Sequence, residues 1–155
     1  MPIKRSTQLA PLSREHHEGL LFAWKLRQGI AKNIEPMRMI SFVQWFWHQH
    51  LNLHFKKEEL FLPPVLSTGH PLMQQMIQEH IKIETLIKEL EPYEVLKKLE
   101  QLAILITDHI RFEERQLFGE IEKAATPEQL QLLSENLKDE KTDTVWKDAF
   151  WLKSL

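Results

Sequence analysis

The sequence predicts an all-α protein, an up-down-up-down four-helix bundle with a short C-terminal helical extension. The 155-residue chain has only four glycines, and its eight prolines fall at a few places. The intervals between prolines carry apolar residues at helical spacing, and four long helices joined by short turns pack antiparallel. At this length we expect a single domain over residues 1–155, with the bundle over about 9–123 and the extension over about 127–155.

The first two helices are delimited by proline and by a candidate cap. The first is predicted from about Pro11 to Lys32, with Ser13 as its N-terminal cap. The second begins near Pro36 and stops at Pro63-Pro64, because proline cannot continue a helix. The predicted inner faces are Leu12, His16, Leu20, Ala23 and Ile30 on the first helix, and Val43, Trp47, His50, His54, Glu58 and Phe61 on the second.

The third and fourth helices are also delimited by prolines. The third is launched by the turn at residues 67–71 and ends near Glu91-Pro92, and the fourth runs from about Tyr93 to Lys123. The predicted inner faces are Met73, Ile77, His80, Glu84 and Ile87 on the third helix, and Leu99, Leu102, Ile106, His109 and Glu113 on the fourth.

The extension begins with a start signal at Thr126-Pro127, which predicts a shorter helix to about Leu137. The tail after it is expected to add an amphipathic turn or two. Its Trp146, Phe150 and Trp151 are expected to cover an apolar surface, either of the bundle or of a second copy of the chain in a homodimer.

Composition excludes several classes of function. There is no cysteine, which removes disulfides, thiolate zinc sites and iron–sulfur clusters. The 20 Lys and Arg are scattered among 22 Asp and Glu, so no basic field for nucleic acid is expected. The N-terminus has no apolar run long enough for a signal peptide or a membrane span, which favours a cytoplasmic protein with no membrane partner.

A His-x-x-x-Glu pattern recurs on three of the four predicted helices. The pairs are His54 with Glu58, His80 with Glu84, and His109 with Glu113. Residues four apart lie on one helical face, roughly 6 Å apart along the axis, so each pair directs a nitrogen and a carboxylate oxygen to the same side. The first helix adds His16 and His17 near its start.

In an antiparallel bundle these candidates all fall toward the same end. Burying imidazoles and carboxylates costs several kcal/mol per ion unless they are paired or coordinate a cation. A bound metal removes that cost. Ligands of nitrogen and oxygen suit iron or manganese, with zinc as an alternative, and a ring of several histidines with bridging carboxylates suits two ions rather than one.

Four segments resemble the helices of the hemerythrin-like, HHE cation-binding family: LSREHHEGL, HLNLHFKKEELFLP, QEHIKIETL and DHIRFEERQLF. The resemblance spans about residues 9 to 123 and implies a bundle that holds two non-haem iron ions. The terminal ligands it implies are His16 or His17, His54, His80 and His109, with Glu58 and Glu113 as bridging carboxylates.

The sequence departs from the oxygen-carrying hemerythrins at two ligand positions. Glu84 stands where they have a second histidine on the third helix. On the fourth helix they place an aspartate five residues after the histidine, where this chain offers Glu113 at four and Glu114 at five. A more anionic site favours oxidised iron and suits redox sensing or iron handling better than reversible oxygen carriage. Ferritin-like proteins use Glu-x-x-His, which this sequence lacks.

The remaining histidines divide by position. His16 is preferred to His17 as a ligand, because it lies on the apolar stripe of the first helix. His50 shares the stripe of His54 and is left open as an extra ligand. His48 is expected to be exposed, and His70, which precedes a proline, is expected to cap a helix or form a turn.

The side chains next to the ligand candidates are expected to have structural roles. Glu59 and Glu114 are expected to be solvated or paired with basic residues such as Arg111 and Arg115, with ligation by Glu59 as a minority option. The tryptophans of QWFWHQH are expected to pack in the core, and the alternative is that they line an oxygen pocket.

Three functions are consistent with the sequence. The first is a di-iron protein that binds or senses oxygen, nitric oxide or peroxide, or that handles iron. The second is a peroxidase-like di-iron redox enzyme, and the third is a non-catalytic helical interaction module. We favour a metal- and oxygen-binding protein over an enzyme, with metal ions and a small diatomic molecule or peroxide as its partners.

Overall fold

The computed structural model describes residues 4–138 and 145–152, and these form helices with no strand among them, which confirms the all-α prediction. The α-helices are α1 Ala10–Ala31, α2 Pro36–Phe46, α3 Asn52–Phe61, α4 Pro63–Leu66, α5 Pro71–Lys88, α6 Val95–Phe112, α7 Phe118–Ala124 and α8 Pro127–Asn136. None of the helices in this part of the chain is long and apolar enough to cross a membrane.

Two π-helical turns join α-helices into longer rods. Trp47–Leu51 connects α2 to α3, and Glu113–Leu117 connects α6 to α7, without a break in the helical backbone. The second rod therefore runs from α2 to α3 and the fourth from α6 to α7, while α1 and α5 are the first and third rods.

The helix ends follow the proline signals. Pro36 and Pro71 each start a helix, and the side chain before each proline caps it: Glu35 accepts a hydrogen bond from the Met37 amide at 3.2 Å, and His70 from the Leu72 amide at 3.1 Å. The capping role predicted for His70 is thus confirmed.

The prediction that Ser13 caps the first helix is wrong. Helix α1 begins a turn earlier, with Leu9 at its N-cap and no side-chain capping bond. Ser13 lies inside the helix, and its hydroxyl instead donates to Glu114 at 3.0 Å. Leu20, predicted to face inward, is 41% exposed.

The core consists of two apolar clusters. The larger is built from α1, α2, α3, α5 and α6 and includes Phe22, Val43 and Leu99, and the smaller includes Leu12, Met76 and Leu117. Along each of the four rods, buried polar residues come between members of the two clusters. The polar residues therefore form a layer within an otherwise apolar interior.

The C-terminal extension is helical only in part. Helix α8 starts with the predicted cap, where Thr126 and Gln129 form a capping box, and it packs on the smaller cluster through Leu133. Residues 145–152 form a turn rather than a helix, so the predicted amphipathic helical turns are absent from this described stretch, while 139–144 and 153–155 lie outside the described residues.

The tail covers the chain's own bundle. Phe150 is 3% exposed and packs in the larger cluster, with Trp146 and Trp151 against it. Asp148 holds this segment through two hydrogen bonds from Arg38, at 2.6 and 2.8 Å. Of the two surfaces predicted for these aromatic residues, the structure shows the bundle.

Candidate metal centre

Six ionisable side chains are buried in the polar layer: His16, His54, Glu58, His80, His109 and Glu113. The two carboxylates are 0% exposed, and no histidine of the six exceeds 5%. Each of the four rods contributes at least one of them. Burying so many polar groups is costly unless they engage one another or a cation.

Glu58 joins histidines from three rods. Its Oε1 lies 3.3 Å from His54 Nε2 and 3.1 Å from His80 Nε2, and its Oε2 lies 3.8 Å from His16 Nε2. The i,i+4 spacing within α3 brings His54 and Glu58 to one face, and packing of α3 against its neighbours adds the others.

Glu113 occupies the equivalent place on the opposite rod. Its Oε1 lies 2.9 Å from His16 Nε2 and 3.2 Å from His109 Nε2, and its Oε2 lies 4.0 Å from His80 Nε2. The two carboxylates thus occupy the centre of the layer, and the Nε2 atoms of the four histidines face them.

The ligand atoms fall into two overlapping groups. One comprises His16, His54, Glu58 and Glu113, the other His80, His109, Glu58 and Glu113, and the ligand atoms of each group lie within 4.8 Å of one another. Because the carboxylates belong to both groups, this arrangement could hold two cations, each with two histidines, bridged by both carboxylates.

The buried atoms of this layer fit a metal. Nε2 of His54 and His109 and Oε2 of Glu58 and Glu113 are buried without a hydrogen-bond partner. Unsatisfied buried polar atoms are rare in folded proteins and each costs about 1–3 kcal/mol. All four face the shared volume, where a cation would engage them. Imidazole nitrogen with carboxylate oxygen is a donor set that suits iron, manganese or zinc.

Charge within the layer shifts its protonation equilibria. Burial alone would lower the pKa of His109, but Glu113 and Glu79 outweigh it and raise the pKa to about 10. The pKa of His54 is likewise raised against burial, by Glu58 and Glu15. Burial would raise the pKa of Glu113, yet His109 and His16 hold it well below its usual value. Metal-free protein therefore keeps the layer as ion pairs, whose histidine protons a metal would displace.

The two π-helical turns lie beside candidate ligands. One begins at Glu113 itself, and the other ends at Leu51, three residues before His54. A π-turn adds a residue to a helical turn and so rotates the face that follows, and such turns are frequent at functional sites. No sequence signal that we used predicts them.

Two predicted ligands do not reach this layer. His17 is exposed, because a helix turns about 100° per residue and His16 occupies the inner face. Glu84 forms a surface pair with Lys88 at 3.0 Å, because Ile83 rather than Glu84 continues the inner face beyond His80. The preference for His16 over His17 agrees with these positions.

An apolar cavity of about 70 Å³ adjoins the layer. Its apolar walls include Phe46, Ile83 and Ile106, and three inner histidines also line it: His16, His54 and His109. Trp45 and Trp47 do not line it, so the oxygen-pocket interpretation of these tryptophans is not supported. They pack in or against the larger cluster, as the simpler interpretation predicts.

His50 lines the cavity without joining either group of ligand atoms. Its ring packs edge-on against Trp45, with the centroids 5.2 Å apart, and partial burial lowers its pKa. His48 is exposed, as predicted.

Sequence reasoning missed the contacts of four outer carboxylates, each of which faces the Nδ1 atom of a buried histidine. The pairs are His54 with Glu15 at 3.4 Å, His80 with Glu59 at 3.1 Å, His109 with Glu79 at 2.7 Å and His16 with Glu114 at 3.6 Å. Glu114 does pair with an arginine, but with Arg5 at 3.4 Å rather than Arg111 or Arg115. Each outer carboxylate is adjacent in sequence to a ligand candidate, a signal that could have found them.

Comparison with known proteins places this layer in a family. The family model described as the hemerythrin HHE cation binding domain matches residues 9–121, which include all six buried side chains. No curated protein and no solved structure gives a significant match to the chain. Because the family model covers most of the chain and its cation-binding description agrees with the buried layer, the chain belongs to the hemerythrin family of HHE cation-binding domains.

Proposed function

We propose that this protein holds a non-haem di-iron centre and uses it to bind or sense oxygen, nitric oxide or peroxide. The observation that carries the proposal is the sharing of Glu58 and Glu113 between two groups of buried ligand atoms. A site for one ion would need only one such group. We further infer that the four rods run alternately up and down, which brings their ligands to one level.

In this proposal His16 and His54 would hold one ion and His80 and His109 the other, and both groups would share Glu58 and Glu113. Each group offers four protein ligands, whereas an octahedral site has about six. The difference would leave positions for a small ligand. Bound iron would supply one-electron redox chemistry and an open position, and the protein supplies orientation, charge and exclusion of water.

The surroundings of the two histidine pairs support one route of access. Both His16 and His54 line the cavity. Of the other pair only His109 lines it, and the ring of Phe55 stacks on His80 with centroids 3.8 Å apart. A small molecule would therefore approach the ion held by His16 and His54. The apolar walls admit neutral diatomic molecules more readily than hydrated ions.

Anaerobic iron loading followed by exposure to oxygen, nitric oxide or peroxide tests the proposal. We expect about two irons per chain, as in other two-metal sites, and a new charge-transfer absorption band on exposure. The matched control is His48→Ala, which changes an exposed histidine outside the layer. Iron that loads but gives no spectral response to any of the three molecules would contradict the proposal.

A peroxidase-like redox enzyme is the second candidate, favoured by the cavity beside the layer. Steady-state assays with peroxide and a reducing co-substrate separate it from a binding or sensing protein. Sustained turnover supports the enzyme, and a reaction that stops after a stoichiometric amount of peroxide supports the sensor. A purified protein that contains no metal would favour the helical interaction module.

A further inference from the structure

We propose that Glu15, Glu59, Glu79 and Glu114 form a closed outer ring of positioning carboxylates, which orients the four inner histidines and biases the centre toward its oxidised state. The inference rests on the proposed metal centre and deepens it. It assigns roles to four residues outside the two groups of ligand atoms.

The ring follows the order of the chain. Each rod supplies a carboxylate to the histidine of the next rod, and the last rod supplies the first. The pairs in order are Glu15 with His54, Glu59 with His80, Glu79 with His109, and Glu114 with His16. The last pair, at 3.6 Å, is within ion-pair range but longer than a hydrogen bond. A shift of any rod would break two contacts, the one made by its carboxylate and the one made by its histidine.

Helical geometry explains how one rod provides both an inner ligand candidate and an outer carboxylate. Glu15 and Glu79 directly precede His16 and His80, and the other two ring residues directly follow Glu58 and Glu113. Consecutive residues of a helix differ by about 100° in direction. The inner residue therefore points to the centre, while its neighbour reaches sideways to the adjacent rod.

The ring carboxylates are themselves held in place. Lys57 Nζ lies 3.5 Å from Glu15, Gln75 donates to Glu79 at 2.8 Å, and Ser13 donates to Glu114 at 3.0 Å. These contacts fix three of the four carboxylates at the imidazoles that they face, and Glu59 is the more exposed member of the ring. Such support is typical of groups that orient metal ligands rather than of solvated surface acids.

Three of the contacts are hydrogen bonds that impose the same orientation on His54, His80 and His109, and Glu114 faces Nδ1 of His16 at ion-pair distance. A carboxylate at Nδ1 places the ring proton there and leaves the Nε2 lone pair for a cation. The Nε2 atoms of all four histidines face Glu58 and Glu113. The outer ring thus sets both the tautomer and the direction of each imidazole, and it raises the basicity of each as a ligand.

The ring also changes the charge balance. Two inner and four outer carboxylates place six negative charges around the layer. Lys57 and Arg5 pair with two of these carboxylates, and each carboxylate near the layer stabilises a trivalent ion more than a divalent one. Removal of a ring carboxylate should therefore weaken cation binding and favour the reduced state of iron.

The test compares Glu79→Gln and Glu59→Gln with the control Glu84→Gln. Glu84 is on the same helix as Glu79 but pairs with Lys88 at the surface. We expect each ring variant to bind Zn²⁺ about 10- to 100-fold more weakly than the unsubstituted protein in chelator competition. We expect the iron-loaded ring variants to show a higher reduction potential, with the control unchanged in both measurements.

The readouts separate this inference from the proposed function. Unsubstituted protein that binds no Zn²⁺ and no iron overturns both. If the unsubstituted protein binds metal while the ring variants have the same Zn²⁺ affinity and reduction potential as it has, that result overturns the ring alone. Equal shifts in the control and the ring variants also overturn it, because they indicate a nonspecific charge effect. Circular dichroism confirms folding, and the more exposed Glu59 provides a second variant should Glu79→Gln not fold.

Discussion

The two halves of the buried layer have the same types of ligand atom but different surroundings. Each has two histidines and shares Glu58 and Glu113. Both histidines of one half, His16 and His54, line a cavity, whereas in the other half only His109 lines it and Phe55 covers His80. Ligand type therefore sets where ions can bind, while packing around the ligands sets which ion a small molecule can reach.

The largest effect is expected from Glu113→Ala, which removes a carboxylate common to both halves. The change should abolish binding of both ions, because each loses a bridging ligand and the histidines lose their partner. Loss of a buried ion-pair partner also costs about 3–5 kcal/mol of stability. Elemental analysis and circular dichroism should show no metal with helices retained, and a variant that keeps two ions would contradict the sharing of this residue.

The substitutions His54→Ala and His80→Ala separate the halves. Each should reduce the metal content by about one ion, since each removes one terminal ligand. We expect His54→Ala to abolish the spectral response to oxygen or nitric oxide, and His80→Ala to leave part of it. Parallel metal analysis and spectra test this, and an unchanged response in His54→Ala would reverse the assignment of the two halves.

Filling the cavity should affect access without affecting ligands. Ile106→Phe adds a ring to the cavity wall and should slow the response to oxygen, at a cost of about 1–3 kcal/mol in stability. The matched control is Ile104→Phe on the same helix, where the side chain is 45% exposed. Stopped-flow spectra after iron loading provide the measurement, and equal rates in the two variants would argue against the cavity as the route.

The last effect concerns the pH dependence of the stability of metal-free protein. The folded-state pKa of His109 is raised to about 10 by neighbouring carboxylates, against about 6.5 in an unfolded chain. Its contribution to stability is therefore fully present below pH 6.5 and is lost as the pH rises toward 10. Denaturant titrations from pH 6 to 10 should show this decline, which metal-loaded protein should lack because a metal replaces the proton.

Much of the fold could be read from the sequence, because proline placement and apolar spacing are local properties. The rods, the breaks at Pro36 and Pro63 and the cap at His70 were predictable on that basis. The tail of residues 145–152 was not, because its aromatic side chains are fixed by contact with the bundle rather than by a helical pattern of their own.

The candidate site was predictable in its inner residues and not in its details. His-x-x-x-Glu spacing identifies His54 with Glu58 and His109 with Glu113 correctly as buried neighbours. The same spacing fails at Glu84, because an inner face alternates steps of three and four residues and Ile83 takes the position. The histidine that each outer carboxylate meets depends on which rods are adjacent, which local sequence does not state.

The most direct test of the central claim is a crystal structure of iron-loaded protein with anomalous data collected at the iron edge. We predict two iron peaks, about 3.5–4 Å apart, between Glu58 and Glu113. A single peak, or two peaks that do not share these carboxylates, would contradict it.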